Sequence, residues 1–144
     1  MIDTFCLNCG NLLNSKQKKY CSITCQQENQ YKIYIKRWLA GEEDGVRSEG
    51  SPSAHIRRYL FEINGNKCST PDCGWGKVNT HSGKIPLTIN HKNGNSDDHK
   101  PENLELLCPN CHSLTPTYGR LNEGKGRRKR LEKIRVLGLL GVAT

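Results

Sequence analysis

Residues 86–115 read PLTINHKNGNSDDHKPENLELLCPNCHSLT, and the architecture follows from this segment. Leu87-Thr88-Ile89-Asn90 alternates as a strand does, Asn93-Gly94 marks a tight turn, and Leu104-Glu105-Leu106-Leu107 reads as a second strand returning beside the first. After Cys108 a short helix is predicted. Pro109 suits its first turn, where a missing N–H costs nothing, and Pro116 should end or bend it. Three polar residues punctuate the unit: His91, Asn103 and His112, twelve and nine positions apart. Strand, loop, strand and helix in this order should bring the two histidines together.

Over residues 67–120 the chain resembles the HNH nuclease family, which folds a ββα unit around one divalent metal. The likeness rests on a strand ending at His91, on Glu102-Asn103-Leu104, and on Leu107-Cys108-Pro109-Asn110-Cys111-His112. The resemblance implies that His91 is the general base, that Asn103 steadies the loop and the orientation of His91, and that His112 binds the catalytic metal. Family members commonly carry Asp, Glu or His before the first histidine, and here Asn90 stands there. A neutral amide oxygen can coordinate Mg²⁺ but brings no charge, so weaker binding is expected. Asp97 or Asp98 is placed to compensate from the loop.

Phosphodiester hydrolysis explains these residue types. It needs a nucleophile made from water near neutral pH and a cation to offset charge on the phosphate and the departing oxygen. Histidine, with an unperturbed pKa of about 6.5, accepts a proton at neutral pH. The motif supplies ligands for one ion, Asn90 and His112, rather than a pair. Taken singly, Asn103 is a turn residue and His112 a neighbour of a zinc knuckle. Order and spacing together reverse that preference. His55, His81 and His99 have no such context and read as surface or helix-face residues.

The chain has 144 residues, of which 34% are hydrophobic and 25% charged, so its core must be thin. Eight cysteines answer that shortage in close pairs: Cys6 with Cys9, Cys21 with Cys25, Cys68 with Cys73, and Cys108 with Cys111. Residues 1–6 have neither a basic start nor a long apolar run, which predicts no secretion signal and a reducing, cytoplasmic setting. Four pairs of reduced thiols then make two structural Zn²⁺ sites in preference to disulfides. No apolar run reaches the roughly 20 residues a membrane helix needs. With 22 basic against 14 acidic residues the formal net charge is +8, and a polyanion is the expected partner.

Residues 5–25 look like a zinc module in which Gly10 permits a left-handed turn. Lys16, Lys18 and Lys19 between its cysteine pairs either meet phosphate or form a solvated loop. Residues 26–39 predict a helix whose stripe is Tyr31, Ile35, Trp38 and Leu39, with Lys36 and Arg37 on the remaining faces. An acidic, glycine-bearing linker follows. Ser51-Pro52-Ser53 opens a second helix with a cap and a first-turn proline; Ile56, Leu60 and Ile63 form its buried side, and Gly65 stops it. Arg57 and Arg58 fall away from that stripe toward a phosphate backbone. Cys68 and Cys73 lie before the hairpin and Cys108 and Cys111 after it, so zinc would clamp both ends of the unit. Arg127, Arg128, Lys129 and Arg130 form the densest charge run, a phosphate-binding tail, and residues 131–137 predict a weak helix.

The expected architecture is a small zinc-stabilised α+β protein. It comprises an amino-terminal four-cysteine finger and helix (1–45), a ββα-metal domain (46–120) and a basic tail (121–144). The resemblance implies a Mg²⁺-dependent DNA endonuclease, homing-type or phage-encoded, in a bacterial or phage-infected cell. The competing reading is a non-catalytic nucleic-acid-binding zinc protein whose nuclease site lapsed at Asn90.

Overall fold

A computed structural model describes residues 4–47 and 50–123, together with residues 132, 135, 136 and 138. The chain divides into two compact units between Glu43 and Asp44.

The first unit begins as a tight knuckle. Phe5 and Leu12 pair as an isolated antiparallel bridge, Cys6 N–H donates to Asn11 O, and Gly10 N–H returns to Cys6 O at 2.9 Å. Gly10 has φ +73°, the left-handed turn that a side chain would strain. Helix α1 spans Ile23–Leu39 and starts three residues earlier than its hydrophobic pattern indicates. Ser22 explains the difference: its hydroxyl accepts from Cys25 N–H at 3.1 Å and satisfies a first-turn donor. Tyr31, Ile35 and Trp38 are buried as the stripe predicts, whereas Leu39, at the last turn, is 49% exposed.

The second unit is built on α2 (Ala54–Ile63), β1 (Thr88–His91), β2 (Leu104–Leu107) and α3 (Pro109–Ser113). Ser53 caps α2 by accepting from Ile56 N–H. Pro52 therefore lies ahead of the cap, not in the first turn, and bridges to Val46. Ile56 and Leu60 are buried, but Ile63 is 58% exposed because the helix is already ending. Asn64 is its C-cap and Gly65 follows with φ +58°.

Strands β1 and β2 are antiparallel, with Asn90 opposite Glu105 and His91 opposite Leu104. Leu87 stands just outside β1 and His91 is its last residue. Leu87, Leu104, Leu106 and Leu107 join Ile56 and Leu60 in the core. Helix α3 follows β2 after one residue and lies against both strands. Pro109 occupies its first turn, and Cys108 caps it by accepting from Cys111 N–H through sulfur. The helix stops at Ser113, three residues before Pro116. The result is a small α+β protein whose hairpin and succeeding helix match a ββα unit. The basic run at 124–130, with Arg127, Arg128, Lys129 and Arg130, and most of 131–144 lie outside the described residues.

Candidate active site and metal centres

The eight cysteines gather into two quartets, Cys6, Cys9, Cys21 and Cys25 in the first unit and Cys68, Cys73, Cys108 and Cys111 in the second. Within each, all four sulfurs lie within 4.8 Å of one another. A tetrahedral zinc thiolate, with Zn–S near 2.3 Å, needs sulfurs about 3.8 Å apart. Cys9–Cys21 at 3.6 Å, Cys21–Cys25 at 3.4 Å and Cys73–Cys108 at 3.9 Å bracket that value. The donor sets therefore fit two structural zinc ions, with no coordination position left for water.

Backbone N–H groups aim at these sulfurs. Cys6 is held down to about 6 by the Cys9 backbone N–H, while its neighbours Cys25 and Cys9 push Cys21 up to about 12. In the second quartet burial raises Cys68, but the Thr70 hydroxyl and the Cys108 N–H overcome it and leave the thiol near 6. For Cys111 the Thr70 hydroxyl pulls down, and Cys73 and Cys108 outweigh it, giving about 12. The fold thus favours thiolate at Cys6 and Cys68 and the protonated thiol at Cys21 and Cys111.

The second quartet is tied directly to the hairpin. Ser69 donates to Leu106 O from both its N–H, at 2.8 Å, and its hydroxyl, at 2.9 Å. Cys108 N–H, one residue beyond β2, donates to Cys68 Sγ at 3.3 Å. The knuckle and the end of β2 are therefore joined by three hydrogen bonds.

Between the strands, Asn103 clamps the loop. Its Oδ1 accepts from Asn93 N–H at 3.0 Å and its Nδ2 donates to Asp98 O at 2.7 Å, with the side chain buried. Gly94 turns the loop at φ +74°, and Asn122 Nδ2 donates to its carbonyl at 2.8 Å. Asp98 is engaged by Asn93 Nδ2 at 2.8 Å, and Asp97 is exposed.

Asn90 is buried and donates from Nδ2 to Glu105 Oε1 at 2.7 Å. Half-buried His91 has His99 as its partner, with Nε2 and Nδ1 2.9 Å apart. His112 sits half-buried on α3 with its ring edge-on to Tyr118, centroids 5.3 Å apart. Among the described residues, the compact groups of three or more Cys, His, Asp or Glu ligands are the two quartets.

Two residues escape the motif. His99, expected on the surface, is 2% exposed and packed on His91; His81 is exposed and His55 lies on α2 as expected. Glu105 became identifiable only with the strand register, which sets it opposite Asn90.

The basic residues differ in how they are held. Lys36 is exposed on α1, and Arg37 pairs with Glu42 at 3.5 Å and Glu43 at 3.0 Å. Arg58 pairs with Glu62 at 2.7 Å. Arg57 lies over the Phe61 ring and donates to Leu87 O at 3.2 Å, bracing the entry to β1.

Among the described residues no helix is long and apolar enough to cross a membrane. No family model and no solved structure matches the chain. Among curated proteins, 41 residues of this chain, 28% of it, are 54% identical to the H-N-H endonuclease F-TflIV of Escherichia phage T5. The chain spans 18% of that protein's length. The hairpin and succeeding helix beside four thiols agree with this likeness, and the chain resembles the HNH endonuclease family over that segment.

Proposed function

We propose that the protein is a metal-dependent DNA endonuclease that hydrolyses a phosphodiester bond at a site built from β1, the 92–103 loop and α3. The observation that carries this is His91 at the end of β1, beside a loop that buried Asn103 fixes at both Asn93 and Asp98. His91 takes a proton from the attacking water as the new P–O bond forms and the bond to the departing oxygen breaks. Asn103 does not touch the reacting atoms; it holds the loop so that His91 keeps its place.

A single hard cation such as Mg²⁺ is what the likeness to an H-N-H endonuclease suggests. Asn90 commits its Nδ2 to Glu105, leaving the amide oxygen as its donor, with the Glu105 carboxylate beside it to supply the charge that Asn90 lacks. Asn90 and a ring nitrogen of His112 would hold the ion, which when bound offsets negative charge on the phosphate and departing oxygen. The zinc quartets are structural. Lys36, Arg37, Arg57, Arg58 and the run Arg127, Arg128, Lys129 and Arg130 would meet the DNA backbone, in keeping with the +8 charge. A cytoplasmic role in a bacterial or phage-infected cell fits reduced thiols and the phage relative.

A second reading, a zinc protein that binds nucleic acid without cutting it, is favoured by the neutral residue at position 90. Incubation of purified protein with supercoiled plasmid, with and without Mg²⁺, separates the two. Nicking or linearisation that needs the ion and disappears in His91→Ala supports hydrolysis. Binding with no cleavage across several divalent ions, or full activity in His91→Ala, overturns it.

A further inference from the structure

Residues 74–86, between Cys73 and β1, hold none of the motif's polar residues, and they build a cleft of their own. Trp75, Lys77, Val78, His81 and Pro86 are among the residues lining an open space of about 360 Å³, near the lower end of the roughly 300–1,000 Å³ typical of ligand sites. Its base is tied to the second quartet. Cys68 N–H donates to Trp75 O at 2.8 Å, and Cys68 is one of the four thiols. Gly76 lets the chain pass close to the turn before Cys68, since a Cβ there would stand 2.8 Å from Asn66 O. Residues 79–84 close on themselves. Asn79 N–H donates to Lys84 O and Gly83 N–H to Asn79 O, both at 2.8 Å, while Asn79 Oδ1 accepts from the backbone of His81 and Ser82.

The charge around this cleft has one sign. From Cys73 to Ser96 the chain carries Lys77, Lys84 and Lys92 and neither Asp nor Glu, although the whole chain has 14 acidic residues. The lining residues include no carboxylate, and Lys77 and Lys84 are exposed. An anion is the complementary ligand. Half-buried Trp75 and exposed Val78 and Pro86 add apolar surface beside those cations. An indole next to an ammonium suits a ligand that joins a flat π face to a phosphate, and a nucleotide has both. An acidic peptide would meet the lysines but offers no flat face to the indole. A duplex covers its base faces by stacking, so a concave site of this kind receives a base only once it has left the stack.

We infer that the Trp75 cleft holds one unpaired nucleotide of the DNA, its base stacked on the Trp75 indole and its phosphate met by Lys77. The choice of DNA rests on the nuclease reading above; the stacking needs no cleavage. A stack on an aromatic ring tolerates any base, so this contact selects unpaired strand over duplex rather than one sequence over another.

The chain has two tryptophans, and Trp38 is 1% exposed in the first unit, so fluorescence quenched by ligand contact reports Trp75. The full, zinc-loaded chain without Mg²⁺ is titrated with a single-stranded DNA of about 16 mixed bases, the upper end of common site sizes, and with an abasic strand carrying the same phosphates. The base-bearing strand should quench, the abasic strand should not, and annealing the complementary strand should reverse most of the quenching. Trp75→Leu should raise Kd for the base-bearing strand by about five- to a hundredfold, the loss of one base–aromatic stack, and Trp75→Phe should restore most of it. Lys77→Ala should weaken both strands and lower the salt slope by about 0.7; an unchanged slope overturns the phosphate contact. Equal quenching by the abasic strand or the duplex, no quenching by any strand, or an unchanged Kd in a folded Trp75→Leu overturns the stacking site. The contrast between base-bearing and abasic strands decides even where Trp75→Leu fails to fold. A parent that shows this contrast but never cleaves plasmid removes the hydrolysis reading and leaves the stacking site standing, whereas cleavage without quenching does the reverse.

Discussion

Asn90 and Glu105 face each other across the hairpin, and the Asn90 amide donates to Glu105 Oε1 at 2.7 Å. This pair changes what a substitution at position 90 tests. Asn90→Asp adds the charge expected of a better metal ligand, yet it also removes the donor and sets two carboxylates opposite each other. Like charges in that relation destabilise a sheet. Without divalent ions Asn90→Asp should lose about 1–3 kcal/mol in a urea melt, the usual cost of breaking such a pair, and added Mg²⁺ should restore much of it. The double variant Asn90→Asp, Glu105→Gln exchanges donor and acceptor and should recover the parent midpoint without metal. An Asn90→Asp protein as stable as the parent in chelator would show that the cross-strand bond contributes nothing.

Asn103 makes its two loop bonds from a buried side chain, so truncation leaves Asn93 N–H and Asp98 O without that partner. Asn103→Ala should destabilise the second unit by about 2 kcal/mol and reduce cleavage while His91 remains chemically intact. Hydrogen exchange should locate the loss: protection at Asn93 N–H should fall more than protection along α2. Equal loosening throughout the unit would mean that Asn103 acts on the fold rather than on the loop.

Gly94 is constrained in two ways that are separable. Its φ of +74° is one that L side chains seldom adopt, and an added Cβ would run into the Asn122 side chain, which holds the Gly94 carbonyl. Gly94→Ala should cost about 1–3 kcal/mol from strain and overlap combined. Asn122→Ala removes the worst of the overlap along with its hydrogen bond, leaving Thr117 Cγ2 at 3.0 Å from the added carbon. The double variant should therefore be less damaged than the sum of the singles, a non-additivity that thermal melts can measure. Additive losses would place the whole cost in the backbone angle.

The parts legible in the sequence are those fixed by short spacing. The alternation of 87–90 and 104–107, the Asn93-Gly94 turn, Pro109 and the paired cysteines each depend on neighbours a few residues away, and β1, β2, α3 and both quartets follow from them. What escaped depends on distant partners. His99 is buried because its ring reaches the carbonyl of Gly50, 49 residues earlier, and no local pattern records that. Arg57 reads as an outward charge by helical spacing, yet Leu87, 30 residues on, accepts a hydrogen bond from it. The role of Glu105 waits on a register that the loop length alone does not set. Helix ends shifted for a nearer reason, the hydroxyl caps of Ser22 and Ser53, which extend or delay a helix independently of its apolar stripe.

The thiols set a pH dependence whose sign differs within each quartet. In metal-free protein Cys6 and Cys68 are lowered from 9.0 to about 6, so the stability they contribute is complete above pH 9 and is lost as pH falls toward 6. Cys21 and Cys111, raised to about 12, contribute in the opposite sense: their protonated forms favour the fold below pH 9, and that share is lost as pH rises toward 12. A zinc ion needs all four sulfurs as thiolates, so at pH 7 it must displace the protons on Cys21 and Cys111. Loading both sites in weak buffer at pH 7 should therefore release about two protons per chain or more, and apparent affinity should rise with pH. Below about pH 6 Cys6 and Cys68 also take up protons, and extraction of zinc by a chelator should steepen there. Because Cys108 N–H bonds to Cys68 Sγ at the end of β2, metal loss should also loosen the hairpin that carries His91. Affinity that stays flat from pH 5 to 8, or a hairpin as protected from hydrogen exchange in the stripped protein as in the loaded one, would break that link between structural metal and candidate active site.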